Sequence, residues 1–542
     1  MQDFDYIIVG GGSAGCVLAA RLSEDPAVRV LLLEAGGRDN HPLIHVPIGI
    51  GPMYDRNMFD WGYSSEPEPQ ANGRRIPIMR GKVLGGCSSI NVMTFTRGHS
   101  GDFNRWAQKG ALGWSAAEVQ PYFKRSESWQ GGEDAWRGGS GPVGVTFGDS
   151  GDPLTEAWLA SAQTAGEPIT ADYNGRDQEG FGRGQYSIHN GRRSSASVAY
   201  LRPARRRRNL TVLTRAHAAR VVVEGRAARG VEYIRSGARH FVRAEREVIL
   251  CGGAINSPQL LMLSGVGPAD HLRDHGIEVV ADLPVGRNLQ DHPVVTMRWT
   301  RPHGGPFREL MRADRMAMNL VRGYLFGTGP ATVVPGGLHA FIKTRPELDV
   351  PDVEFMFRHT PDGAHLWMPL LRPPYRDGFA VRPVVLHPDS RGEIRLRSAD
   401  PFEPVRISLN LFTARRDLVT LREATKRVRE IASQRPLDPF RGEELAPGPA
   451  VTSDSAIEDW IRSVVHTALH PAGTCAMGIG PESVLDPQLR VRGVERLRVV
   501  DASAMPDLPT AHLNACVMMM AEKAADLIRG REMPALDARH LH

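Results

Sequence analysis

Apolar and polar positions alternate along this chain in three regimes. Near the N-terminus, Asp5-Tyr6-Ile7-Ile8-Val9 forms a short β-branched run, and Gly10-Gly11-Gly12-Ser13-Ala14-Gly15 follows at once. Residues 16–22 then place apolar side chains at helical period, and a second apolar run over 28–33 ends at Glu34. Strand, glycine turn, helix, strand and acid, in that order, make a dinucleotide-binding βαβ unit. Gly10 allows the tight turn, Gly12 lets the backbone approach a pyrophosphate, and Gly15 lets helix and strand pack closely. The phosphates are expected at the positive helix end beside Ser13. Glu34 is placed to accept from a ribose hydroxyl and would repel a 2′-phosphate.

The pattern loosens afterwards. Residues 38–80 read as loop, and 130–155, rich in glycine and acid, as a surface excursion. Strands are predicted at 211–213, 219–223, 231–233 and 248–251. Residues 300–450 alternate apolar runs with proline-rich turns, the pattern of an antiparallel sheet. A strand at 497–500 and an amphipathic helix over 514–528 close the chain. A nucleotide domain left and re-entered around a β-rich insertion explains this order.

Composition narrows the class. A chain of 542 residues exceeds one compact core, which stops growing near ~250–300 residues, so two domains are the default. Hydrophobic residues at 41% and charged residues at 23% are globular values. No run reaches the ~20 apolar residues of a membrane-spanning helix, and the N-terminus lacks a signal-peptide pattern. The net charge of +5 comes from 66 bases against 61 acids, and only six of the bases are lysine. The dense run Arg205 to Arg208 reads as a solvated turn before a strand, so no nucleic-acid partner is expected. Five scattered cysteines without C-x-x-C spacing predict reduced thiols and a cytoplasmic location. His271 and His275, at i, i+4, lack the rest of a metal motif and read as a helix face; no metal is expected.

Four further stretches carry a resemblance. They are Gly81-Lys82-Val83-Leu84-Gly85-Gly86-Cys87-Ser88-Ser89-Ile90-Asn91; Gly253-Ala254-Ile255-Asn256-Ser257-Pro258 running to Gly267; Gly286-Arg287-Asn288-Leu289-Gln290-Asp291-His292-Pro293; and the pair His470-Pro471-Ala472-Gly473-Thr474-Cys475 with Asp501-Ala502-Ser503, running on to Asn514. Together with the glycine turn, they make the chain resemble the glucose-methanol-choline (GMC) flavoprotein oxidoreductases from residue 5 to 529.

The resemblance implies a mixed α/β and α+β fold. A Rossmann-like FAD-binding domain (1–155, 199–300, 456–530) would interleave with a substrate domain on an antiparallel sheet (156–198, 301–455), leaving a disordered tail at 531–542. It implies FAD held by Gly10, Gly12, Ser13, Gly15 and Glu34 at the ADP part, with Trp61 also on the cofactor. Val83 and Asn91 would lie along the pyrophosphate and flavin, Val221 by the adenine, and Asp501 and Ala502 near the ribityl chain. The 514–528 helix would point its N-terminus at the flavin. Ile90 stands where covalently flavinylated members carry histidine, so dissociable FAD is expected.

The implied activity is oxidation of a primary alcohol to an aldehyde, with oxygen or another acceptor reoxidising the flavin. His470 takes the base position, suited to it by the imidazole's pKa of ~6.5. Asn514 takes the partner position, doubling as helix N-cap and gripping the alcohol oxygen. His512 stands where relatives often have asparagine. Residues 333–339, aligned with the segment that carries a carboxylate in choline-specific relatives, hold no acid, so choline is not expected. Trp367, Met368, Pro369 and Tyr375 are candidates to cap the pocket. A non-redox lyase of cyanohydrin type is the alternative.

Overall fold

The computed structural model describes residues 3–148 and 150–536. Two sheets organise it. The first is parallel in its centre, in the spatial order Leu210–Thr214, Val30–Glu34, Phe4–Val9, Ala238–Leu250, Leu497–Val499. Ile7, Ile8, Leu31, Leu32, Val248 and Ile249 are buried in it, which is why its strands are continuously apolar: both faces are covered. The 13-residue strand Ala238–Leu250 serves twice. Its C-terminal half lies in the parallel sheet, and its N-terminal half pairs antiparallel with Ala227–Arg235, which pairs with His217–Glu224.

The second sheet is antiparallel, in the order Glu444–Ala446, Met297–Thr300, Gly378–Val385, Val353–Arg358, Leu338–Ile342, Gly180–Arg183. Pro293–Val294 joins it at the Gly378–Val385 strand and pairs in turn with His466–Thr467. These two strands come from segments that the sequence reading allotted to the nucleotide domain. The sheet thereby reaches the loop that carries His470.

The structure differs from the sequence reading in four places. Residues 38–80 contain the short helices Pro42–His45 and Ile50–Asp55. The middle third holds two longer helices, Ala313–Phe326 and Arg415–Ala432. The second buries Leu418, Leu421, Thr425, Val428 and Ile431, a helical period embedded in a stretch dominated by strand signals. The closing helix, Asn514–Arg529, is buried from Ala515 to Asp526 on every side. Its polar face meets arginines rather than water: Glu522 pairs with Arg21 at 2.8 Å and Arg125 at 2.7 Å. Residues 531–536, expected in a disordered tail, pack against the Ala116–Ser126 helix; the Met533 amide donates to the Tyr122 hydroxyl and the Leu536 amide to the Ala117 carbonyl. The rest of that tail lies outside the described residues.

Candidate active site

One long cavity runs from the glycine turn to the second sheet. Its glycine-turn end is built as the βαβ unit requires. Gly10 has φ +105°, open to glycine alone, and a Cβ on Gly15 would stand 1.9 Å from the Gly10 carbonyl oxygen. Gly12 differs: its Cβ would meet nothing nearer than the Cys251 oxygen at 3.9 Å and would project into open space. The helix Ser13–Leu22 behind it has no side-chain cap and no acid in its first turn. An uncapped helix N-terminus facing a cradle free of side chains fits a pyrophosphate. Glu34 lies beside it and already accepts from the amides of Gly36 (2.6 Å) and Gly11 (2.8 Å). Burial pushes its pKa up to about 7, against these two donors. The carboxylate therefore ties the turn to the second strand and keeps acceptor capacity for a ribose. Trp61, stacked on Tyr63 and covered by the Lys82 ammonium at 4.2 Å, forms the neighbouring wall with His217.

At the other end, His470 follows the His466–Thr467 strand through Leu469, whose φ of +65° is left-handed. Two contacts hold that turn. The His470 amide donates to Asp291 Oδ1 (2.8 Å), which also accepts from the His292 amide, and Arg80 Nη2 donates to the Leu469 carbonyl (2.5 Å). Burial raises the Asp291 pKa to about 6 despite those amides. His470 Nδ1 faces His292 Nδ1 at 3.1 Å, so one ring donates and the other accepts. With the proton on His470 Nδ1, its Nε2 keeps a free lone pair. Burial, then His512 and His292, hold the His470 pKa well below 6.5, so the ring is neutral.

Asn514 stands on the same wall. It is the first residue of its helix, with Leu513 as the cap, so the capping role expected of it falls to its neighbour. Its Oδ1 accepts from the Ser13 hydroxyl at 2.7 Å, which leaves the amide Nδ2 as the free donor. The His512 ring lies 4.8 Å from that of His470, edge to face, and its Nε2 contacts Glu354 Oε1 at 3.0 Å. The same oxygen meets His339 Nδ1 at 2.7 Å. Burial would raise the Glu354 pKa, but His512 and His339 hold it well below the usual carboxylate range.

The structure gathers Gly10, Gly12, Ser13, Glu34, Trp61, Asn91, His470, Asp501, Ala502 and Asn514 around this cavity. It sets three predicted residues back. Gly15 is enclosed under the Gly10 carbonyl. Val83 packs with Ile44, Met53 and Ile90. Val221 is buried, its amide bound to the Ser264 hydroxyl, and Ala216, His217 and Ala218 form the wall there. Trp367, Met368, Pro369 and Tyr375 do not reach the cavity, and neither do residues 333–339; from the second sheet, Met356 and Arg382 do. His271 accepts from the Leu396 amide. His292, Glu354, Arg80 and Arg382 were not singled out from sequence. Only the block containing Asp291 and His292 carried a signal, and it named no role.

Comparison with known proteins places the chain in a family. The family models of the GMC oxidoreductases match residues 4–294 and 388–521. The chain is 42% identical over 536 residues to an oxygen-dependent choline dehydrogenase of Brucella ovis, covering 98% of this chain and 96% of that protein. It is also 42% identical over 555 residues to the mitochondrial choline dehydrogenase of Mus musculus, covering 100% and 91%. Among solved structures it resembles pyridoxine 4-oxidase from Mesorbium loti, with a TM-score of 0.87, 31% identity and 97% and 99% of the two chains covered. It also resembles a formate oxidase of Aspergillus oryzae, with a TM-score of 0.90, 28% identity and 100% and 99% covered. Full-length similarity and a site assembled from the same blocks lead to one conclusion: the chain belongs to the GMC oxidoreductases.

Proposed function

We propose that this protein oxidises a primary alcohol to an aldehyde with non-covalently held FAD. Its general class, an oxidoreductase acting on CH–OH groups, is shared with its relatives. The observation that carries the finer reading is His470, neutral and held through Nδ1 by His292, beside an Asn514 whose Nδ2 is free. His470 Nε2 takes the hydroxyl proton, while Asn514 donates to the oxygen as negative charge develops there. The ionised Glu354 favours the imidazolium so formed, against burial and the neighbouring His512 and His292 rings. FAD, when bound, supplies the acceptor for the hydride leaving the carbinol carbon. Gly10, Gly12, Ser13 and Glu34 hold its ADP part, and Asn91, Asp501 and Ala502 lie along the remainder. Ile90, at the cavity wall, offers no atom for a covalent link. Oxygen or another acceptor completes the cycle. The five cysteines are unpaired, which fits a reducing cytoplasm.

The test is anaerobic mixing of the flavin-loaded protein with a panel of alcohols. Flavin bleaching is expected, and His470→Ala should slow it by ~10²–10⁴-fold with FAD still bound. Bleaching at the parent rate in that variant removes His470 as the base. Flavin that no alcohol reduces, with a cyanohydrin cleaved instead, would establish the lyase reading.

A further inference from the structure

The cavity wall formed by the second sheet carries a cation without a counter-charge. Arg382 lies on the Gly378–Val385 strand, directly across from Met356, which in turn pairs with His339. These three share one row on one face of the sheet, and Met356 and Arg382 line the cavity. Neither Nε nor Nη1 of Arg382 has an acceptor among the described residues. Nη2 touches only the His466 ring, at 3.2 and 3.3 Å, four residues before His470. The nearby acids are committed elsewhere: Asp362 to Arg358 and Arg298, Glu354 to His339 and His512. Arg382 forms no ion pair among the described residues. Arg80, on the same wall, adds a second positive charge, although its own donors serve backbone carbonyls.

A half-buried guanidinium that faces a substrate cavity without a carboxylate partner is completed by the ligand. The flat fork matches a carboxylate. A single free guanidinium balances one negative charge, which favours a carboxylate over a doubly charged phosphate. It also opposes a quaternary ammonium, which Coulomb repulsion would disfavour at this wall.

We propose that Arg382, with His466, is a specificity site that binds a carboxylate of the substrate, so that the enzyme acts on primary alcohols bearing a carboxylate. This rests on the alcohol-oxidising reading above. Four residues of extended chain span at most about 13 Å, so His466 and His470 lie within that reach. Carboxylate and carbinol then sit on one small molecule, as in 4-(hydroxymethyl)benzoate or 4-hydroxybutyrate.

Two measurements on the flavin-loaded protein test it. The first is the dissociation constant of benzoate, read from the flavin absorbance difference spectrum without turnover. Arg382→Met should weaken benzoate by about 30-fold or more, with partial recovery in Arg382→Lys. The second compares 4-(hydroxymethyl)benzoate, benzyl alcohol and choline as anaerobic reductants. The carboxylate alcohol should have the highest kcat/KM in the parent and lose that advantage in Arg382→Met, while benzyl alcohol changes little. Should Arg382→Met fail to fold, the parent's preference and the lysine variant still decide. Equal benzoate affinity in parent and Arg382→Met overturns the proposal, as does a parent that prefers choline or benzyl alcohol. An altered resting flavin spectrum in the variant, without loss of benzoate binding, makes Arg382 a flavin contact and overturns it equally. If no alcohol reduces the flavin yet benzoate binding depends on Arg382, the anion site stands and only the oxidation reading fails.

Discussion

At the scale of single residues, the site is governed by burial of histidine. Removal from water, reinforced by His512 and His292, keeps His470 unprotonated far below the usual imidazole pKa. Only the neutral ring accepts a proton, so the rate of flavin reduction should stay level down through pH 6.5 and fall only in more acid buffer. A pH–rate profile measures this directly, and an acid limb centred at or above pH 6.5 contradicts the burial argument. Asn514 is set by one contact, the Ser13 hydroxyl on its Oδ1. Ser13→Ala frees the amide to rotate and should lower the rate of reduction by about tenfold, the cost of one modest hydrogen bond to an orienting group.

At the scale of elements, the glycine turn and the His470 loop are positioned in different ways. The turn depends on missing side chains, and two of its glycines separate structure from ligand binding. Gly15→Ala puts a methyl 1.9 Å from the Gly10 oxygen and should drive helix from strand, lowering the thermal midpoint and the yield of yellow protein together. Gly12→Ala meets no atom nearer than 3.9 Å. It should leave the flavin-free midpoint unchanged and weaken FAD by at least about tenfold, or ~1.4 kcal/mol, by filling the cradle. Titration with FAD alongside thermal melts distinguishes the two. The His470 loop instead depends on an added contact, the Asp291 carboxylate, which accepts from the His292 and His470 amides beside two paired strands. In Asp291→Ala the His470 ring remains but its backbone anchor is gone. Reduction should slow by about 10²-fold with FAD still bound, the scale of a misplacement near 1 Å.

At the scale of the whole molecule, the buried histidines set the response to acid. His292 and His466 are pushed down to about 3 and His359 to about 4, all by burial first. In the unfolded chain each titrates near ~6.5, so as pH falls below that value the unfolded state binds the additional protons and stability drops. Each contributes ~1.4 kcal/mol per pH unit. Glu34, raised to about 7, and Asp291, raised to about 6, act in the opposite sense between those values and their unfolded pKa near ~4. With His470 also held well below 6.5, the histidines outweigh these two acids, so stability declines as pH falls below 6.5 and more steeply below about 4, where the acids no longer oppose. Thermal midpoints in a pH series should show that break; a midpoint flat to pH 4 would mean these rings are solvated.

The sequence by itself determined the parts that are local. Backbone conformations open only to glycine, the apolar runs of strands buried on both faces, and contiguous blocks such as His470 to Cys475 are all written in consecutive residues. They specify the βαβ unit and the family, and they carry the histidine proposed as the base. The tertiary structure alone decided what each group meets. His292 reaches His470 across 178 residues, Glu354 reaches His512 across 158, and Glu522 reaches Arg21 across 501. The period of a helix cannot show that its polar face will pair with buried arginines. Nor does a strand sequence reveal that Arg382 will face a cavity with its neighbouring acids already taken. Pairing and desolvation are properties of the space between elements, and that space exists only once the chain has folded.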